Sequence, residues 1–263
     1  MDTLILAGWI GYADDLVLAF DDLQCLGKGL ELLDATLKRF GMKLNASKTK
    51  TMIFNHGGDS YPSTIVNLDS KSIDNVKRFQ YLGCYIQYNQ ATTGDEELNL
   101  RIDSAESKFY AMGKKFMNHR INLKIRTSML NSLVRSRLTY ACQTWSLTKQ
   151  QIDKVDSTYM GMIRRMVRNG FKRKADTYAF VHSNQKLLLM SGTILPSEFV
   201  KKIQRSFVAH IVRRNDHTIL KRMLFNDDVK TIPGRQTSLW NNVLNSANED
   251  ESTFLKKAID KVY

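Results

Sequence analysis

A pair of adjacent acidic residues between two short apolar runs places the strongest constraint on how this chain folds. The residues are Asp14 and Asp15, and the apolar runs span residues 4–10 and 16–20. Runs of this length are typical of two strands joined by a tight turn, and aspartate favours turns because its side chain bonds to nearby backbone groups. The pattern predicts a β-hairpin that presents two carboxylates, the ligands that hard divalent cations prefer. A bare Asp-Asp pair is more often a solvated surface turn, so the residues around it decide between the two interpretations.

Those surrounding residues make the pattern more specific. The pair ends the motif Tyr-Ala-Asp-Asp at residues 12–15, and Leu-Val-Leu follows at residues 16–18. This stretch resembles the Tyr-x-Asp-Asp motif of reverse transcriptases, in the form found in non-LTR (LINE-type) retrotransposon polymerases. The resemblance implies that Asp14 and Asp15 are catalytic carboxylates that bind Mg2+, or Mn2+, for nucleotidyl transfer by a two-metal-ion mechanism.

Composition excludes several classes of protein. Of the 263 residues, 43% are hydrophobic and 25% are charged, which fits a folded soluble chain. No apolar run reaches the roughly 20 residues that cross a bilayer, and no signal-peptide pattern is present. Cys25, Cys84 and Cys142 are widely spaced and belong to no Cys/His cluster, which indicates reduced thiols and no structural zinc. We expect an intracellular protein of the nucleus or cytoplasm, without a membrane partner or small-molecule cofactor.

The positive charge is concentrated in one part of the chain. Residues 1–100 hold 9 basic and 13 acidic side chains, whereas residues 101–175 hold 17 basic and 4 acidic ones. Residues 176–263 hold 13 basic and 9 acidic side chains, so the middle block carries an excess equal to the net charge of +13. A concentrated basic region predicts a polyanionic partner, and nucleic acid is the first candidate. Acidic lipid is less favoured because the block lacks a face rich in Trp and Phe.

A helix is predicted directly after the hairpin. Asp21 and Asp22 can cap it, and Gly41 supplies its end. Between them, apolar residues recur at spacings of three and four: Leu23, Leu26, Leu30, Leu33, Leu37 and Phe40. We predict an amphipathic helix whose leucine stripe is core. Gly27-Lys28-Gly29 lacks the spacing of a phosphate-binding loop and receives no function.

A polar turn follows this helix and leads into a β-prone run that ends at Phe54. Residues 41–49 have the form Gly-x-x-x-Asn-x-x-Lys-Thr, which also lies after the palm helix in the LINE-type family. The resemblance implies that Lys48 approaches the phosphates of the incoming nucleotide and can protonate the pyrophosphate leaving group. From the residues alone, an ordinary solvated loop lysine is the alternative.

Residues 79–86 alternate between apolar or aromatic and polar side chains. The alternation predicts a strand, with Gly83 as a bulge or a point of close backbone approach. The stretch resembles the Tyr-Leu-Gly hairpin of the family, which holds the primer strand. The resemblance implies a primer-grip role for Tyr81, Leu82 and Gly83, whereas Phe79 and Tyr81 could equally be core residues.

Helices are predicted from Asp95 onward. A first helix carries apolar residues from Leu98 to Phe116 at helical spacing, and a second spans residues 123–138. Thr148 and Gln151 fit a capping box that opens a third helix. Basic residues line these helices: Arg101, Lys108 and Lys115 beside the first apolar stripe, Arg126, Arg135 and Arg137 predicted to face outward on the second helix, and Arg164, Arg165 and Arg168 at the end of the third.

In the resembled family, a basic helical thumb follows the primer grip and contacts the template–primer duplex through its phosphates. The resemblance therefore implies an RNA template and a DNA primer as partners. The nucleic-acid-binding residues would be Arg101, Lys108, Lys115, Arg126, Arg164, Arg165 and Arg168. Such contacts are independent of sequence and weaken with salt. Pro196 predicts the start of a further helix in the C-terminal region.

Together these patterns predict an α+β chain in three parts. Residues 1–92 would form part of a polymerase palm, with short antiparallel strands, one helix and the primer-grip hairpin. Residues 93–175 would form a basic, mainly α-helical thumb, and residues 176–263 a helical C-terminal extension.

The implied function is part of an RNA-directed DNA polymerase. In the family, another catalytic Asp comes from an earlier strand, and the fingers lie earlier still, but only eleven residues precede Tyr12. We therefore expect a fragment of the enzyme, inactive or nearly so in isolation. The alternatives are a non-catalytic nucleic-acid-binding module and a retroelement relic without function.

Overall fold

The computed structural model describes residues 6–54, 63–68, 71–88, 94–168, 171–174, 177–215, 220–221, 239, 243–244, 247 and 250–260. The chain forms two compact units, Met1–Gln90 and Ala91–Tyr263. The first contains hairpins and one long helix, and the second is mainly helical, so the predicted α+β class is confirmed. No helix within the described residues is long and apolar enough to cross a membrane.

The first unit is built from three antiparallel hairpins and one helix. The hairpins pair β1 (Leu6–Tyr12) with β2 (Asp15–Phe20), β3 (Thr64–Leu68) with β4 (Lys71–Asp74), and β5 (Arg78–Tyr81) with β6 (Cys84–Gln87). Helix α1 spans Leu23–Arg39 between the first two hairpins. It begins where predicted because the Asp22 side chain accepts a hydrogen bond from the Cys25 backbone N–H at 2.7 Å.

The core of this unit is small. It contains Leu30 of α1 and Ile73 of β4, with Leu26, Leu44, Ala46 and Val66 partly buried against them. The prediction that the whole leucine stripe of α1 is core is wrong at its ends, because Leu23 is 54% exposed and Phe40 is 74% exposed. The buried part of the stripe lies in the central turns of α1, so only this part of the helix contributes to the core.

Residues 79–86 form a hairpin rather than one strand with a bulge. Tyr81 pairs with Cys84, and Leu82 and Gly83 form the turn between them. Both turn residues have left-handed backbone angles, with φ of 47° at Leu82 and 80° at Gly83. Two successive positive φ values match the twist of a two-residue hairpin turn, which explains why the chain reverses here.

The second unit begins with helices α2 (Asp95–Ala111), α3 (Gly113–Phe116) and α4 (Leu123–Leu130). Helix α4 continues without a break into a π-helical segment, Asn131–Arg135, and then into α5 (Ser136–Leu138). The predicted helix over residues 123–138 is thus present, with a π-helical segment that its sequence does not signal.

Helix α6 (Lys149–Val167) begins with the predicted capping box. The backbone N–H of Gln151 donates to the Thr148 hydroxyl at 3.2 Å, and the backbone N–H of Thr148 donates to the Gln151 side chain at 2.9 Å. A hairpin of β7 (Phe171–Lys174) and β8 (Thr177–Phe180) follows, and then α7 (Asn184–Ser191) and α8 (Pro196–Val212). The predicted helix start at Pro196 is confirmed.

One large core joins the helices of the second unit. Its buried members come from α2 through α8 and include Phe109, Phe116, Leu130, Tyr159, Met166, Leu187 and Val200. The far half of α8 packs in a second, smaller cluster with Phe254 and Ala258 of α9 (Glu251–Ile259). Arg213 ties these two helices together, because its Nη1 donates to the carbonyl oxygen of Ala258 at 2.8 Å.

Candidate functional site

The β1–β2 hairpin presents both predicted catalytic carboxylates at its tip. Tyr12 pairs with Asp15, so Ala13 and Asp14 form a two-residue turn. Ala13 adopts a left-handed conformation with φ of 52°, which allows so tight a reversal. Asp14 and Asp15 are exposed neighbours, one in the turn and one at the start of β2. The structure therefore brings this pair together on a short, defined turn.

Two adjacent exposed carboxylates match the hard oxygen ligands of Mg2+ or Mn2+. Within the described ranges, however, no group of three or more His, Cys, Asp or Glu side chains could hold a metal ion. The hairpin therefore fits a divalent cation as a partial ligand set. Further oxygen ligands from water, a nucleotide or another carboxylate would have to complete the coordination.

The hairpin is anchored to α1 by a contact that its sequence pattern did not reveal. An ideal Cβ built on Gly29 would lie 2.4 Å from Cζ of Phe20, the last residue of β2. Only glycine leaves room for the ring, so the absence of a side chain lets the hairpin pack closely against the helix. The available sequence signal was the position of Gly29 in the middle of a predicted helix. A glycine there lowers helix stability, so its presence indicates that a close packing contact requires it.

The lysine loop is organised by Asn45. Its Oδ1 accepts hydrogen bonds from the Ser47 backbone N–H at 3.2 Å, the Ser47 hydroxyl at 2.7 Å and the Lys48 backbone N–H at 3.3 Å. Such bonds form an Asx turn, which holds the backbone around Lys48 while its side chain stays exposed. Lys50, in contrast, pairs with Asp74 at 2.5 Å.

The predicted primer-grip residues lie at the tip of the β5–β6 hairpin. Leu82 and Gly83 are exposed in the turn, and Tyr81 is half-buried at the end of β5. Among the described residues, the buried Tyr81 hydroxyl finds no hydrogen-bond partner. Towards the open end of the hairpin, the Arg78 guanidinium lies 4.1 Å from the centroid of the Tyr85 ring, so the arginine side chain of β5 packs on the neighbouring strand β6.

In the second unit, the predicted line of basic residues on α2 is not uniform. Arg101 is half-buried, pairs with Glu97 at 2.5 Å, and lies 4.7 Å from the Tyr140 ring centroid. Lys108 is half-buried, whereas Lys115 on α3 is exposed. Of these three cations, Lys115 is therefore the most accessible to a polyanion.

Arg126 was predicted to face outward, and this prediction is wrong. Arg126 is only 4% exposed to solvent. Its guanidinium donates to the carbonyl oxygens of Phe116 and Met166 at 2.8 Å each and of Ile121 at 3.0 Å. Burial lowers the pKa of Arg126 from its ordinary value. The error arises because helical periodicity reports only which residues share a face of one helix. It gives no information about the Met166 carbonyl, which lies 40 residues away in the sequence.

The arginines at the end of α6 also differ from one another. Arg164 is half-buried and donates to the Asn184 side chain. Arg165 is exposed, with its guanidinium 5.2 Å from the Tyr110 ring centroid, and Arg168 is exposed in the left-handed residue that ends the helix. Of these three arginines, Arg165 and Arg168 therefore contribute most of the positive charge exposed at the end of α6.

His119 is a neighbour of these groups that the sequence patterns did not single out. Partial desolvation lowers the pKa of His119, and the positive charges of Arg168 and Arg126 lower it further. Because charges act over short distances, this places His119 beside the end of α6. Its only sequence signal is its position between Lys115 and Arg120.

Comparison with known proteins bears on both units. Residues 4–86 match the reverse transcriptase (RNA-dependent DNA polymerase) family, a range that contains the carboxylate hairpin, the lysine loop and the Tyr-Leu-Gly hairpin. Over 208 residues the chain is 28% identical to an uncharacterised transposon-derived protein of Caenorhabditis elegans, covering 78% of this chain and 71% of that protein. No solved structure matches the chain. Residues 4–86 are therefore similar to part of a reverse transcriptase, and the chain over most of its length is similar to a transposon-derived protein.

Proposed function

We propose that this chain is the C-terminal part of a non-LTR (LINE-type) retrotransposon reverse transcriptase, with the second unit acting as a nucleic-acid-binding thumb and extension. The observation that carries the proposal is the two-residue turn that presents Asp14 and Asp15 together within the family-matched segment. The order of lysine loop, Tyr-Leu-Gly hairpin and basic helices after it agrees with that assignment.

In this function, Asp14 and Asp15 would hold Mg2+ or Mn2+, which when bound supplies the positive charge that stabilises the attacking and leaving oxygens. Lys48 is exposed on a loop held by Asn45, so its ammonium is free to approach the nucleotide phosphates and donate a proton to pyrophosphate. Leu82 and Gly83 offer an exposed turn to the primer strand. A turn without a large polar side chain permits close approach to that strand's backbone.

The second unit would bind the duplex formed by the RNA template and the DNA primer. Lys115, Arg165 and Arg168 are its exposed predicted contacts, and phosphates are their natural ligands. Arg101 pairs with Glu97 and Arg164 donates to Asn184, so these two guanidinium groups are already bound to protein groups. Such a protein would act where its template is found, in the nucleus or the cytoplasm.

We further infer that the isolated chain synthesises little or no DNA. Two-metal chemistry needs several carboxylates on a rigid scaffold, and the hairpin supplies two. The test is primer extension on an RNA template with Mg2+, comparing the purified chain with Asp14→Asn. We expect both proteins to give background synthesis. Robust extension that depends on Asp14 would contradict the inferred inactivity and show a working polymerase.

A second candidate function is a nucleic-acid-binding module without catalysis, which the concentration of charge in residues 101–175 favours. Binding to a template–primer duplex should then be strong at low salt and survive Asp14→Asn with Asp15→Asn. Neutralising Arg165 and Arg168 should weaken it. Undiminished binding after both arginines are replaced by glutamine would contradict this function, whereas loss of binding in the aspartate variants would favour the polymerase site.

A further inference from the structure

Arg126 is a buried arginine whose hydrogen bonds, in the described part of the chain, all go to backbone carbonyl oxygens. One nitrogen, Nη1, donates to both Phe116 and Met166 at 2.8 Å, and Nε donates to Ile121 at 3.0 Å. A single nitrogen that reaches two oxygens requires those oxygens to lie close together. Arg126 therefore joins the end of α3, the loop before α4 and the end of α6.

The three acceptors are carbonyls that need a donor. Phe116 is the last residue of α3, and Met166 lies in the last turn of α6. Carbonyl groups in the last turn of a helix have no partner within the helix, and a cation near them is favoured by the helix dipole. The Arg126 guanidinium supplies both the donors and the charge, so it fixes the two helix ends against each other.

Basic residues flank the two helix-end carbonyls that Arg126 holds, those of Phe116 and Met166. Lys115 precedes Phe116 and Arg165 precedes Met166, while Arg168 ends α6. We call Lys115, Arg165 and Arg168 the basic edge. Two further contacts join the helices that carry it to α2: the ring centroids of Phe109 on α2 and Phe116 on α3 lie 5.2 Å apart, and the Arg165 guanidinium of α6 lies over the Tyr110 ring of α2. The hydrogen bonds of Arg126 to the Ile121 and Met166 carbonyls place the loop after α3 beside the end of α6.

We propose that Arg126 is a positioning residue: it does not touch nucleic acid, but holds the two halves of the basic edge together as one preformed site for backbone phosphates. This inference rests on the nucleic-acid binding proposed above. A preformed site loses less conformational freedom on binding than separate side chains do. Lysine cannot replace arginine here, because its single ammonium lacks the planar fork that reaches several carbonyls in fixed directions.

The test measures binding of the full chain to a short RNA–DNA duplex by fluorescence anisotropy over a range of salt concentrations. Arg126→Lys keeps the charge and removes the fork, and we expect it to weaken binding by about tenfold and flatten the salt dependence. Lys124→Gln is the matched control, because it removes an exposed charge from the same helix and leaves Arg126 in place. It should lower the salt slope by no more than about one phosphate contact.

A double-variant cycle separates positioning from general destabilisation. Arg168→Gln alone should weaken binding, but should add little in the Arg126→Lys background, where the basic edge is already separated. Far-UV circular dichroism and the thermal midpoint establish that each variant is folded at the assay temperature. Additive losses in a folded double variant would contradict the proposed positioning role.

Three outcomes remain distinct. If the unchanged chain shows no salt-dependent binding, the proposed nucleic-acid function fails before Arg126 is considered. If the unchanged chain binds and Arg126→Lys binds with the same affinity and salt slope, the positioning role is overturned. If Arg126→Lys does not fold, Lys115→Gln and Arg168→Gln are combined instead: coupled losses support one preformed site, and additive losses overturn it.

Discussion

The ring of Phe20 occupies the space that a side chain at Gly29 would need. A Cβ at position 29 would lie 2.4 Å from Cζ of Phe20 and 2.6 Å from Cε1, whereas real Cβ atoms essentially never come so close. Strand β2, which begins with Asp15, thus ends in a residue locked against α1. The carboxylate hairpin therefore packs against α1 at the end opposite its turn.

Gly29→Ala should therefore loosen the hairpin. We expect a loss of about 1–3 kcal/mol in local stability, because the added methyl forces the ring or the helix to move. Hydrogen exchange of residues 6–20 measures this locally. Gly27→Ala is the matched control: its nearest neighbour is 4.0 Å away, so it should gain up to about 1 kcal/mol from helix propensity. Equal effects of the two variants would contradict the packing role of Gly29.

The turn of the β5–β6 hairpin should tolerate asparagine better than its native leucine. Leu82 has φ of 47°, a conformation that asparagine adopts more readily than leucine does. Leu82→Asn creates the Asn-Gly pair preferred in this turn and should stabilise the hairpin by about 0.5–1 kcal/mol. Gly83→Ala, at φ of 80°, should destabilise it by a similar amount. Hydrogen exchange of the β5 and β6 amides measures the stability of the hairpin in both variants. Destabilisation by Leu82→Asn would show that contacts of the leucine side chain contribute more to hairpin stability than the relief of backbone strain.

The carboxylate pair should bind a trivalent lanthanide as a probe for divalent cations. Tb3+ prefers oxygen ligands, and Tyr12, which pairs with Asp15, is close enough in register to sensitise its luminescence. Asp14→Asn combined with Asp15→Asn should weaken Tb3+ binding by at least about tenfold, because two charged ligands are lost. Asp21→Asn, an exposed acidic residue beyond the same hairpin, is the control and should change little. Tb3+ affinity that is unchanged in the paired variant would remove the hairpin as a metal site.

His119 should titrate below its ordinary pKa, and Arg168 should be part of the reason. Partial desolvation and then the charges of Arg168 and Arg126 lower the pKa from 6.5. As pH falls through 6.5, the unfolded chain takes up this proton before the folded chain does. The contribution of neutral His119 to stability is therefore present above pH 6.5 and is lost as pH falls towards the depressed folded pKa.

Arg168→Gln removes one of these charges and should raise the pKa of His119 towards 6.5, without reaching it. Titration of the imidazole Cε1–H by NMR measures the value, and His119→Gln assigns the signal. Arg164→Gln serves as the control, since its guanidinium is bound to Asn184 and is not among the causes of the shift. A pKa that stays the same in Arg168→Gln would show that the charge of Arg168 does not contribute to the lowered pKa of His119.

Local sequence patterns predicted the turns and helix caps that interactions between nearby residues determine. The turn between Tyr12 and Asp15, the Asp22 cap and the Thr148–Gln151 capping box all formed where expected. In each case the interacting groups lie within four residues, so their chemistry and spacing determine the structure. The same holds for Pro196 at the start of α8.

Tertiary structure decided which residues are buried and which remain on the surface. Arg126 looked like a surface cation, but its hydrogen bond to Met166 joins residues 40 positions apart and buries it. The sequence assigned no function to Gly29, but the Phe20 ring occupies the space that a side chain at position 29 would take. The sequence by itself thus determined the β1–β2 hairpin with its two carboxylates and the starts of α1, α6 and α8. Only packing between distant segments decided which cations remain for nucleic acid, because burial and backbone acceptors depend on contacts that no local pattern records.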